Sequence, residues 1–247
     1  MEPDKEITQQ SDELPSSVLS RKDLLGLARG FSRILWSIPL GFFLFTGAMD
    51  FALSIYFRLP SYIIAVILCM WGLAGLRRIH SLGRTWVRYL NMALLLTVIL
   101  IYFAPFIYWW IRHPEGNHFV VNLMAMILAV TWLLWIVNRL AEEVATALHD
   151  RYYLIECRLC GWSVVAFMAM PLVVYFGHSM LQAVRHEIPL YYVLENIRRI
   201  RHAPWLFALL LLPLTLTVAI AWKTKERALR TLTDSVAPTP SPPPVNP

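Results

Sequence analysis

The chain has 247 residues, of which 57% are hydrophobic and 15% charged, with a formal net charge of +6. An ordinary soluble domain carries about 25% charged residues, so this balance excludes a water-soluble domain, whole-chain disorder and a collagen-like fibre. Three cysteines exclude a disulfide scaffold, and the bases sit beside apolar runs rather than on a separate soluble face, which excludes a nucleic-acid partner.

Residues 1–22 hold Ser, Gln, Glu and Asp with few apolar side chains and predict a disordered polar tail. They contain no apolar stretch of the signal-peptide kind, so the first span is expected to serve as an uncleaved signal anchor. In residues 23–33, Leu24, Leu27, Ala28 and Phe31 recur at three- and four-residue steps beside Arg29 and Arg33. That pattern predicts an amphipathic juxtamembrane helix in the headgroup layer, or a helical lead-in to the first span.

Six apolar runs follow, at 34–57, 59–76, 89–111, 119–137, 162–181 and 205–222. A helix rises about 1.5 Å per residue and the hydrocarbon slab is roughly 30 Å thick, so each run can cross it. Ser61, Ala65, Cys69 and Gly72 give the second run a face of small residues suited to close helix packing. Pro39, Pro105, Pro171 and Pro213 interrupt four of the runs and are expected to kink them. After the fourth run, helix-forming composition continues through Leu140, Glu142, Val144 and Leu148, which predicts an extension beyond the bilayer. Pro189 opens and Pro204 closes a second in-plane helix at residues 190–202. Residues 223–247 form a basic and then proline-rich tail.

Sixteen of the twenty-two lysines and arginines fall in the N-terminal segment, the second and fourth connections and the C-terminal tail. Basic loops resist translocation, so both termini are expected in the cytoplasm, with the chain in the plasma (inner) membrane. The fold class is therefore all-α: a polytopic integral membrane protein, a six-transmembrane-helix bundle with short in-plane amphipathic helices.

Few residues in this background can carry chemistry. Asp50 is the only formal charge inside the six runs, and Thr46, Asp50, Ser54 and Arg58 recur every four residues. On one helix they would share a polar face, either a proton or cation relay or a carboxylate tied to Ser54 and Arg58 near the outer interface. Five histidines fall on the expected outer side, and His178 alone lies within a span. Without the i, i+4 pairing of a zinc helix they read as interfacial groups, with His178 as the candidate outer-face residue. Cys157 and Cys160 have the spacing of half a metal site, but a second such pair is missing, so they read as reduced thiols. Glu142 and Glu143 do not match the paired glutamates of intramembrane CAAX-type proteases, because Ala147 stands where that family has an arginine. No catalytic residue, cofactor or metal is assigned.

Three functions fit these residues. The leading one is a non-enzymatic accessory or scaffold subunit whose partners are the lipid bilayer and other membrane proteins or a second copy of itself. The others are a small-solute or ion permease using Asp50, and an enzyme acting on lipid at the outer face through His178.

Overall fold

The computed structural model describes residues 19–46, 55–113, 116–186, 192 and 204–234. All the regular structure among them is helical. The helices are α1 (Arg21–Thr46), α2 (Ile55–Leu76), α3 (Gly83–Arg112), α4 (Asn117–Ala147), α5 (Arg151–Val164), α6 (Met170–His186) and α7 (Pro204–Asp234). A π-helical segment, Val165–Ala169, joins α5 to α6. Three stretches are long and apolar enough to cross a membrane: Gly83–Ile107, Asn117–Ala147 and Arg151–Gln182.

The helices close into a ring. α1 packs on α2 and α7, α2 on α3, α3 on α4, and α4 on α7, while α5 lies against both α4 and α7. The core runs through all of these contacts, with Phe31, Leu73, Trp86, Leu140 and Tyr153 fully buried.

α1 runs unbroken through residues 33 and 34, where the apolar pattern places a boundary between an in-plane helix and the first span. Leu27, Phe31 and Ile34 are fully buried within the protein, so the stripe that suggested a headgroup-layer helix packs on protein instead. Ser20 and Asp23 hold the start of this helix reciprocally, the Ser20 hydroxyl donating to Asp23 Oδ2 at 2.8 Å and accepting from the Asp23 amide at 3.2 Å.

α1 and α2 pack antiparallel. Gly26 faces Ile79, Gly30 faces Gly72 and Leu76, and Gly41 faces Ala65. The small face of α2 thus has α1 as its partner, and backbone meets backbone where a Cβ on Gly72 would come within 2.9 Å of the Gly30 carbonyl oxygen. The stretch expected as one helix at 34–57 therefore takes in the end of α1 and the start of α2, two helices that run in opposite directions. Hydropathy does not register the direction of a helix.

α4 continues past Val137 to Ala147, as the helix-forming composition there predicts. His149 then takes a φ of 55° in the left-handed region, which turns the chain. Asp150 caps α5, its Oδ1 accepting from the Tyr153 amide at 3.0 Å. Pro39, Pro105 and Pro213 lie inside continuous helices, whereas Pro171 is the second residue after the π segment. Proline has no N–H to donate, and an i→i−5 turn just before it re-spaces the ladder that the ring interrupts. The in-plane helix expected at 190–202 lies outside the described residues apart from Tyr192.

Candidate functional site

Of the four residues expected on one polar face, Asp50 and Ser54 lie outside the described residues. Thr46 ends α1 and Arg58 belongs to the first turn of α2, so two antiparallel helices carry them rather than successive turns of one. His178 sits on α6 with its ring exposed, beside Gly177, where an added Cβ would meet nothing within 4 Å. Cys157 is buried and Cys160 half-buried on α5, both as free thiols. Among the described residues no group of three His, Cys, Asp or Glu side chains is placed to hold a metal ion.

The polar groups that do converge lie on the seam between α4, α5 and α7. Asn138 is buried on α4; its amide donates to the Leu134 carbonyl and to Thr217 Oγ1 on α7, both at 2.9 Å. Gly161 on α5 faces Asn138, where an added Cβ would make only an ordinary contact at 3.8 Å from Asn138 Cβ. Further along, the fully buried Tyr153 donates its hydroxyl to the Ile220 carbonyl at 3.2 Å and meets Thr224 Oγ1 on α7. Thr217 and Thr224 are two turns apart on one face of α7, which explains how one helix serves both neighbours.

Beyond Tyr153 the seam becomes ionic. Glu142 accepts from Arg139 at 2.6 Å and from Arg158 on α5 at 2.7 Å. Glu156 pairs with Lys223 at 2.8 Å, and this hydrogen bond raises the Lys223 ammonium above the usual lysine range. Asp150 pairs with Arg227, whose guanidinium also lies 4.6 Å over the Tyr153 ring. Partial burial lowers the pKa of that guanidinium from its ordinary value. Glu142, Glu156 and Asp150 are each engaged by a cation on their own or a neighbouring helix, which suits fastening helices together.

Glu142 is the most enclosed of these carboxylates, at 14% side-chain exposure against 57% for Arg158. Glu142→Gln should cost about 1–2 kcal/mol, because it leaves the partly buried Arg139 without its counter-ion. Arg158→Ala should cost under about 1 kcal/mol, as befits an exposed cation. Unfolding in mixed micelles measures both, and equal losses would contradict this ranking.

The seam was not singled out from the sequence. Asn138 and Thr217 are separated by 79 residues, and each looks like an isolated polar residue at the edge or middle of an apolar run. A buried Asn within helix-forming sequence was the one available signal.

Comparison with protein families, curated proteins and solved structures found no match to this chain.

Proposed function

We propose that this chain is a multi-pass integral membrane protein, six spans with both termini cytoplasmic, that works as a non-enzymatic accessory or scaffold subunit. Six helical rods support the count: α1, α2, α3, α4, the α5–α6 rod and α7. Antiparallel packing of α1 on α2 puts the basic start of α1 beside the basic end of α2, which agrees with the orientation read from charge.

One observation carries the functional reading. Of the three apolar stretches, the α5–α6 rod is the least covered by the rest of the chain and α4 the most. Past the π segment, Val173, Val174, Leu181 and Val184 are exposed, and among them stand the open Gly177 and the exposed imidazole of His178. Lipid tails can cover valine and leucine, but a hydrogen-bonding ring in hydrocarbon costs free energy until another polar group meets it. A glycine beside that ring admits the close approach of a second helix.

Photo-crosslinking in intact membranes tests this. A crosslinker at Val174 should yield one product of defined mass, at twice the chain mass for self-association or at another discrete mass for a different subunit. Gly177→Leu should abolish it, and a crosslinker at the equally exposed Leu95 on α3 should give none. Absence of a product from Val174, or one indifferent to Gly177→Leu, would remove the reading.

A further inference from the structure

The corner formed by the start of α1, the end of α2 and the start of α3 is strongly cationic. Arg29, Arg77, Arg78, Arg84 and Arg88 are exposed there, and Arg33 is half-buried with its guanidinium 3.9 Å over the Trp71 ring. Asp23 is the only acid among the described residues of these three helices. It is already engaged, accepting from Ser20 and, at 3.3 Å, from Ser81 in the α2–α3 connection. No described carboxylate pairs with the arginines of this corner.

Their depth is ordered as well. Trp36 on α1 and Trp71 on α2 are 63% and 59% exposed, and the antiparallel register brings both to nearly the same level. Arg29 precedes Trp36 by seven residues on α1, and Arg78 follows Trp71 by seven in the turn just past the end of α2, so on both sides an arginine stands beyond a tryptophan in the same direction. Seven residues of helix rise about 10 Å, somewhat more than the roughly 5–8 Å of headgroup layer on each side of the hydrocarbon, so from there the long arginine side chains reach the lipid phosphates. Arg33 lies between, at the belt itself.

We propose that this corner binds the phosphate of anionic phospholipids, with Arg29, Arg33, Arg77 and Arg78 around the headgroup and Trp36 and Trp71 against its acyl chains. Guanidinium forks suit phosphate oxygens, and the position beside the tryptophans favours a lipid phosphate over one in solution.

The full chain, purified in a zwitterionic detergent, should melt a few degrees higher with added phosphatidylglycerol than with phosphatidylcholine, and salt should shrink the difference. The triple variant Arg29→Gln, Arg77→Gln, Arg78→Gln should melt like the parent in phosphatidylcholine and lose more than half of the phosphatidylglycerol increment. Arg185→Gln, an exposed cation on α6, should keep it. If the triple variant does not fold, Arg78→Gln alone should retain fewer phosphatidylglycerol molecules by native mass spectrometry. Equal melting of the parent in both lipids, or a full increment or undiminished lipid retention in the variants, would overturn the proposal. Inorganic phosphate giving the whole increment would reassign the corner to a soluble anion and overturn the lipid assignment.

Discussion

Gly72→Leu should lower the stability of the bundle by about 2–4 kcal/mol, the range of an overpacked core position that cannot relax. A Cβ at position 72 would lie 2.9 Å from the Gly30 carbonyl oxygen, 3.0 Å from Ile34 Cγ1 and 3.1 Å from Arg33 Cβ. Two of these atoms are backbone or fixed directly to it, so α1 itself must move away from α2. That movement opens the fully buried contacts of Phe31, Ile34 and Leu73. Gly177→Leu supplies the contrast, since its Cβ meets nothing and the isolated chain should lose almost nothing. Unfolding by SDS titration distinguishes the two, and a Gly72→Leu protein as stable as the parent would refute the close approach of α1 and α2.

Tyr153→Ala should cost about 3–5 kcal/mol, the scale for emptying a fully buried aromatic site. The ring has no exposed surface, Arg227 covers it, and its hydroxyl reaches Ile220 and Thr224. Tyr153→Phe keeps the volume and removes only the hydroxyl, so about 1–2 kcal/mol is expected from the same measurement. The comparison separates packing from hydrogen bonding. Similar losses in the two variants would show that the hydroxyl, and not the ring, holds α5 to α7.

The sequence foretold some of this architecture well. The runs at 89–111 and 119–137 fall inside α3 and α4, because long stretches dominated by Leu, Ile, Val, Met and aromatic residues both demand a dry environment and can form a helix despite Pro105. Helix ends were less legible. α4 and α5 extend well outside the apolar runs, since a helix tolerates Glu142, Arg151 and Arg158 while a hydropathy window stops at them. The apolar run at 34–57 takes in the end of α1 and the start of α2, so Thr46 and Arg58 belong to different helices, while Asp50 and Ser54 lie outside the described residues. The α4–α5–α7 seam was invisible for a different reason. Periodicity assigns a residue to a face of its own helix, but it does not say which helix 79 residues away supplies the partner of Asn138.

The ring has a consequence for how the chain is made. Its first helix and its last are neighbours, and α7 is the one element that covers α1, α4 and α5 together. During synthesis the helices before α7 have that flank open, Asn138 lacking the Thr217 hydroxyl and Tyr153 lacking Thr224 until α7 leaves the ribosome. A ribosome that stops short of residue 204 therefore releases a product whose vulnerable surface is the inside of the finished protein, polar groups included.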